Sequence, residues 1–372
     1  MIKTRITEMF GVKYPIVLAG MGPFSTYKTA VKVANSGGIG LTSHWGILSP
    51  VDPKTFEISD APDARSITPA QKIELDLTYI RDKTDDGAVC GCNIRVARVQ
   101  ADWKSVLRRV LKLRREDREM REKIKIIVTS AGNPAPPNKM IKKNNEKNND
   151  DLKHFHVSPC LRLVEHTFKS GCDGVVAVGY EGGGHQSYEG VTTSVLIPIV
   201  RANFPDKPII AGGGFYNGQT LASGLALGAD AVQMGTRFIA TSDGDFHPNF
   251  KNLILKSQDE DTIITTGMFG PIRLIKNKHA LEHAKVLTRE EKLEQEKGKF
   301  DDAEQQKILQ QQMLEKFMAM EKSYKGDVEN GPCLGGQTVG GIETLPTVKE
   351  LIETMMVECQ ETIKTLYFKI GE

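Results

Sequence analysis

The chain has 372 residues, 39% of them apolar, and its 49 basic residues against 47 acidic ones leave a net charge of only +2. That balance gives no global case for nucleic acid or an anionic membrane as a partner, and no stretch of ~18 or more apolar residues is available to cross a bilayer. The charged start Met1–Arg5 lacks an apolar h-region, so no secretory leader is expected and the cytoplasm is the expected compartment; six cysteines without a CxxC pair read as reduced thiols, and no metal site is expected.

From the N-terminus onward, short β-branched apolar runs alternate with longer helical patterns, the signature of repeated βα units around a parallel sheet. The first run, Ile16–Ala19, leads into Gly20-Met21-Gly22, which does not complete a dinucleotide fingerprint because Ser25 stands where a third glycine is needed. Ser25 is expected to cap a helix over Thr26–Asn35, closed by Gly37-Gly38. The later runs are Ile39–Thr42, Ala88–Asn93, Ile124–Thr129, Lys153–Val157, Gly174–Gly179, Pro208–Ala211 and Ala231–Gly235. Most are continuously apolar, as strands buried on both faces must be; Lys153-His154-Phe155-His156-Val157 alternates instead. A helix over Thr220–Leu227 is expected to end at Gly228. Eight strands with helices between them predict an α/β fold, a (β/α)8 TIM barrel with helical insertions.

Three stretches read as additions to that frame. Trp103–Lys123 is basic and amphipathic, Asn138–Asp151 is Lys/Asn-rich and reads as a loop, and Glu282–Lys325 reads as one or two charged surface helices. The domain reading is a barrel over 1–281 and 327–372, with a charged helical insertion over 282–326.

In this fold the active site lies at the C-terminal ends of the strands, and the loops after strands seven and eight commonly hold a phosphate. Here those loops are Ala211-Gly212-Gly213-Gly214 and Met234-Gly235-Thr236-Arg237. Glycine lets backbone N–H groups approach an anion closely, although either turn alone is equally a tight bend after a strand. The sixth run enters Tyr180-Glu181-Gly182-Gly183-Gly184-His185-Gln186, where a titratable imidazole follows three glycines at a strand end. Histidine titrates near neutrality and serves as general acid or base. His44-Trp45 follows the second run and is a further candidate for the pocket wall.

These segments together resemble the nitronate monooxygenase (2-nitropropane dioxygenase) family, which includes FMN-dependent enoyl-(acyl-carrier-protein) reductases. The resemblance rests on Pro15–Met21 with Ala34–Gly40, on Glu181–His185, on Ala211–Gly214 with Gly228–Phe238, and on Gly335–Gly340 leading into Pro346-Thr347-Val348. It implies noncovalent FMN at the barrel mouth, with Ala19, Gly20 and Met21 against the ring and Asn93 hydrogen-bonded to it. It implies that Gly182, Gly183, Gly184, Gly213, Gly214, Gly235 and Thr236 hold the ribityl phosphate, with Gln233 and Gln337 nearby, and that His185 is the catalytic histidine. No cation is evident at the end of the fourth run for the flavin edge, Lys139 being the nearest candidate.

Two reactions fit the resemblance: oxidation of alkyl nitronates or nitroalkanes, and NAD(P)H-dependent reduction of an enoyl thioester or a quinone. The expected partners are accordingly a small-molecule or acyl-thioester substrate, with NAD(P)H as the donor in the second reading and a homodimer as the candidate assembly. Barrels of the IMP dehydrogenase type carry a catalytic cysteine in the loop after strand six, and this loop has His185 and no cysteine.

Overall fold

The computed structural model describes residues 2–44, 66–97, 102–268, 270–296 and 303–369. In chain order its strands are β1 (Ile16–Leu18), β2 (Ile39–Ser43), β3 (Val89–Arg95), β4 (Ile124–Ser130), β5 (Lys153–Ser158), β6 (Gly174–Val178), β7 (Gly184–His185), β8 (Ile209–Gly212), β9 (Ala231–Met234), β10 (Thr262–Thr266) and β11 (Pro271–Ile275). Strands β1 to β6, β8 and β9 pair in parallel and close into a barrel, β9 returning to β1 through Ile16↔Val232. Each of the eight apolar runs becomes one barrel strand, so the fold is the (β/α)8 barrel expected.

Side chains that alternate along each strand sort into an interior and an outer layer. Val17, Ile39, Leu41, Val128, Phe155, Val176 and Ile210 fill the interior. Helix α1 (Arg5–Phe10) closes the N-terminal end, with Ile6 and Phe10 packed into that same cluster. Fully burying side chains of this size contributes roughly 1.5–3 kcal/mol each.

The outer ring is α2 (Tyr27–Asn35), α3 (Pro69–Lys83), α4 (Trp103–Glu116) with α5 (Arg118–Lys123), α6 (Ala135–Asn148), α7 (Leu161–Lys169), α8 (Thr193–Asn203), α9 (Gly218–Ala226) and, much later in the chain, α15 (Val348–Phe368) packed on α9 and α2. Ser25 does not cap α2. Thr26 is the residue before the helix, and Ser25 instead hydrogen-bonds the Asp76 carboxylate at 2.6 Å. The seventh helix starts at Gly218, capped by Asn217, two residues earlier than expected.

Two of the three stretches read as additions are ring helices. Helix α4 buries Val106, Leu107 and Val110 in the main core, so Trp103–Lys123 is the connection from β3 to β4. Residues of the stretch Asn138–Asp151 lie mostly on α6, between β4 and β5. Its asparagines disguised it: Asn138 and Asn145 donate to the Ser170 and Leu152 carbonyls, and Ile141 carries most of the apolar contact. The alternation at β5 has a similar cause. Phe155 faces the interior, while His154 and His156 face outward and share the hydroxyl of Thr129, each at 2.8 Å.

Between β9 and α15 the chain leaves the ring. Helices α10 (Thr236–Ile239), α11 (Pro248–Lys256), α12 (Lys278–Glu282), α13 (Arg289–Glu296) and α14 (Ala303–Tyr324) and the 3-10 turn Gln337–Gly341 belong to this excursion. It forms a second core that includes Phe24, Ile239, Phe250, Ile272, Phe317 and Ile342. Here β10, β11 and β7 make a three-stranded sheet, antiparallel at β10–β11 and at β11–β7, the latter placing Ile272 opposite His185. Among the described residues no helix is long and apolar enough to cross a membrane.

Candidate active site

A cavity of about 570 Å³ opens at the C-terminal ends of the barrel strands, within the size range usual for cofactor and ligand sites. The ends of β1, β3, β4, β5, β6, β8 and β9 contribute to its wall, together with the β7 strand and the segment after Cys333.

Ala19, Gly20 and Met21 line the cavity at the end of β1. The Met21 backbone N–H donates to Ser43 Oγ at 2.6 Å, which fixes this turn against β2. Gly20 lies flat on Asn93, and a Cβ there would overlap the Asn93 side chain. Asn93 is itself held by the barrel: its Nδ2 donates to the Val128 carbonyl at 3.2 Å and its Oδ1 accepts from Ser130 at 3.3 Å.

Gly182, Gly183 and Gly184 also line the cavity, as do Gly213 and Gly214 after β8 and Gly235 and Thr236 after β9, Gly235 lying beside Ala19 and Met21. Gly213 and Gly214 have φ of 88° and 84°, the left-handed region that glycine enters without cost. A Cβ at Gly214 would meet no protein atom within 4 Å, so the turn faces open space. The Thr236 hydroxyl accepts from the Gly336 N–H at 3.0 Å, and Gln337 N–H donates to the Glu181 carbonyl at 3.0 Å. These bonds seat the C-terminal segment on the cavity. Gln337 itself is exposed and does not line it; its neighbours Gly336 and Thr338 do.

Gln233, on β9, lines the cavity and is 8% exposed, and among the described residues its Nε2 has no hydrogen-bond partner. Buried amide donors are normally satisfied, so this one is arranged for something the protein does not supply. An amide donor and two rows of glycine N–H groups suit an anionic, carbonyl-rich ring cofactor better than an apolar ligand.

His185 lines the same cavity from β7. Burial pushes its imidazole down to about 3, and the positive charges of Arg95, Lys292 and Lys316 push in the same direction. The ring is therefore neutral at physiological pH. Lys292 Nζ donates to the Gly267 carbonyl at 3.3 Å, and Gly267 packs directly against His185 Nε2.

Several residues fall differently from expectation. Lys139 is exposed on α6 and takes no part in the cavity wall. A buried cation at the site is instead Arg95, the last residue of β3, which is 5% exposed and lines the cavity. It stands two positions beyond Asn93, on the same face of the strand, and that period of two was the signal in the sequence. His44 is buried, with Nε2 3.0 Å from the Asp102 carboxylate, and is not among the lining residues; Trp45 lies outside the described residues. Ala131, at the end of β4, also lines the cavity with φ of 57°, an uncommon conformation for a side chain with a Cβ.

At the rim, Glu189 accepts from Arg289 at 2.7 Å and from Arg162 at 3.1 Å, and the Arg289 guanidinium lies 5.2 Å over the Tyr188 ring. Burial alone would raise the Glu189 carboxyl, but Arg289 and Arg162 bring it down to about 2. This joins α13 to the loop that follows β7.

Comparison with known proteins gives a consistent result. The family profile described as nitronate monooxygenase matches residues 3–358. A (3aS,4S,5R,7aS)-5-hydroxy-7a-methyl-1-oxo-octahydro-1H-indene-4-carboxyl-CoA dehydrogenase of Rhodococcus jostii is 27% identical, over 98% of each chain. A probable nitronate monooxygenase of Staphylococcus saprophyticus is 27% identical over 74% of this chain and 79% of its own. Among solved structures, FabK from Thermotoga maritima superposes with a TM-score of 0.74 at 28% identity, covering 99% of this chain and 100% of that one.

Proposed function

The chain belongs to the nitronate monooxygenase family of oxidoreductases, and from that premise we propose that it binds FMN at the barrel mouth and oxidises alkyl nitronates. The observation that carries this reading is that His185 and Arg95 line the same cavity as the glycine turns after β8 and β9.

The residues fit the cofactor. Gly182, Gly183, Gly184, Gly213, Gly214, Gly235 and Thr236 would hold the phosphate, Ala19, Gly20 and Met21 would face the ring, and Asn93 and Gln233 would hydrogen-bond it. Gln337 would act only through its backbone bond to Glu181. When bound, FMN supplies the redox chemistry, taking up electrons from the substrate and passing them to an acceptor.

The protein's own part is binding and proton placement. A neutral imidazole so strongly depressed is a poor base toward a nitroalkane C–H, whereas an already formed nitronate is an anion that the surrounding positive charge attracts. His185 would donate a hydrogen bond to a nitro oxygen, and its proton affinity would rise as the anion approached. The glycine-lined wall and the excursion over the mouth would restrict water at the reacting carbon. In this reading 1–281 and 327–372 form the cofactor barrel, and 282–326 contributes Arg289 to the cavity wall and the positive charges of Lys292 and Lys316 that act on His185.

One observation favours a second reading. Relatives that align over nearly the whole chain include a CoA-thioester dehydrogenase, while the staphylococcal one aligns over about three quarters. The dehydrogenase bears on an acyl thioester as the substrate class; in the reductive form of this reading NAD(P)H would be the donor and an enoyl thioester or a quinone the acceptor, with His185 placing the substrate carbonyl. Anaerobic titration of the purified protein with propane-2-nitronate, NADH and NADPH separates the two. Bleaching of the flavin spectrum by nitronate alone supports the first reading; bleaching by a nicotinamide and none by nitronate overturns it.

A further inference from the structure

We propose that Arg95 is the substrate-anion residue of this site: its guanidinium takes the two coplanar oxygens of a nitronate or a carboxylate-like substrate group across the cavity from His185. The proposal rests on the flavin-oxidoreductase reading given above.

Arg95 ends β3, with its side chain on the cavity side of the strand, and it is 5% exposed. Taking a guanidinium out of water is costly unless something offsets the loss. Burial lowers Arg95 to about 10, and the Asp102 carboxylate draws it back up. The group therefore stays cationic at neutral pH. Asp102 is shared, since it also accepts from His44 Nε2 at 3.0 Å.

The guanidinium is held in place by contacts from two sides. Its Nη1 packs on Gly22, where a Cβ would overlap it, and its Cζ lies 5.7 Å from the centroid of the Phe317 ring on α14. A guanidinium over an aromatic face keeps its charge and its in-plane donors. Its field reaches across the cavity, because Arg95 is the foremost charge acting on the His185 ring.

The planar fork of arginine matches two oxygens on one atom, in a nitronate or a carboxylate, better than it matches a single carbonyl oxygen. A lysine at the same position would supply charge without that match. Arg95 and His185 together would then grip such a group from two directions, while Phe317, from within the 282–326 segment, fixes the plane of the grip.

The test uses flavin-replete holoprotein and isobutyrate, the carboxylate isostere of propane-2-nitronate, with isobutyramide as the neutral control. Calorimetric titration at pH 7.5 is expected to give isobutyrate affinity at least tenfold weaker in Arg95→Met than in the wild type. Arg95→Lys should fall between the two, and isobutyramide affinity should be the same in all three. Steady-state assays on propane-2-nitronate should show the Arg95→Met loss mainly in KM. Isobutyrate affinity in Arg95→Met within twofold of the wild type, or no isobutyrate binding to flavin-replete wild type, overturns the proposal.

Should Arg95→Met not fold, Arg95→Lys and Phe317→Leu carry the same decision. Severalfold weaker isobutyrate binding in both supports the assignment, and wild-type affinity in both defeats it. A wild-type protein that takes up no flavin would instead strike at the functional reading on which the assignment depends.

Discussion

The guanidinium of Arg95 lies 5.7 Å from the ring centroid of Phe317, so the end of a barrel strand meets a helix more distant in sequence at the cavity wall. Phe317 is buried in the second core beside Ile239 and Ile272. Truncation to alanine should therefore cost about 3–5 kcal/mol, as for other buried aromatic rings. Urea denaturation of flavin-free protein measures this, and a loss below about 1 kcal/mol would show that the ring is not packed as described.

The glycine turns predict two distinct failures. Gly214→Ala meets no neighbouring atom within 4 Å but forces an alanine to φ of 84°. The backbone strain should be about 1–2 kcal/mol, leaving the protein folded while the added methyl group enters the space facing the turn. Bound flavin per chain should drop sharply with the circular dichroism spectrum retained. Gly20→Ala should also disturb Asn93, so it should lose stability along with flavin.

Thr129 gives one hydroxyl to two buried imidazoles, 2.8 Å from His154 Nε2 and 2.8 Å from His156 Nδ1. His154 Nδ1 is 2.9 Å from Asn138 Oδ1, and because Asn138 Nδ2 donates to the Ser170 carbonyl, that oxygen must accept. His154 thus carries its proton on Nδ1 and accepts the Thr129 hydroxyl proton on Nε2. Thr129→Val keeps the shape and removes both bonds. It should destabilise the fold by about 1–3 kcal/mol for each imidazole left unsatisfied, read as a lower Tm. An unchanged Tm would count against the shared hydroxyl.

His154, His156 and His185 are each pushed down to about 3, by burial first of all. The unfolded chain takes up protons at these rings below about pH 6.5, whereas the folded chain does not until about 3. Their contribution to stability is therefore complete above that unfolded value and is lost on acidification. Each ring can remove at most about 1.4 kcal/mol per pH unit within that window. Urea midpoints should fall between pH 6.5 and 5, above the range where carboxylates titrate. A flat profile there would contradict neutral buried rings.

Asp150 acts in a lower window. Burial alone would raise its carboxyl, but Arg114 hydrogen-bonded to it, with Arg121 nearby, holds it below the usual range. Its folded value lies under its unfolded one, so its contribution is present above about pH 4 and fades as pH falls further. Asp150→Asn should flatten the acid limb below pH 4 while leaving the limb above pH 5 intact. At neutral pH it should destabilise, because Arg114, whose side chain has no solvent exposure, loses the nearer of its charged partners and keeps only the exposed Asp151 at 3.5 Å.

The barrel was legible because its strands are buried on both faces and read as unbroken apolar runs. The glycine turns and His185 were legible because the fold sends strand ends to one place. What stayed hidden has local causes. Asn138 and Asn145 spend their side chains on backbone carbonyls, so α6 looks like a polar loop. Val106, Leu107 and Val110 marked α4 as amphipathic, yet only packing against the main core shows that it belongs to the ring. Arg95 was hidden because a charge at the end of an apolar run reads as the run's solvent-exposed finish. The grip of Phe317 on it crosses more than two hundred positions, beyond any local pattern.

Helix α15 completes the ring beside α9 and α2, yet the whole of Gly235–Thr347 separates it from the last barrel strand. During synthesis, all eight barrel strands are available to pair long before the final wall of the ring exists. Until then the α15-facing side of α9 stays bare, and at Gly218 that face is shaped to lie directly against Glu358 and Cys359. Closing so long a loop carries an entropic cost that only the finished contact repays. The nascent chain should thus pass through a state with an open seam between its first and last strands. That seam, rather than the barrel pairing itself, sets when the protein becomes resistant to proteolysis and safe from self-association.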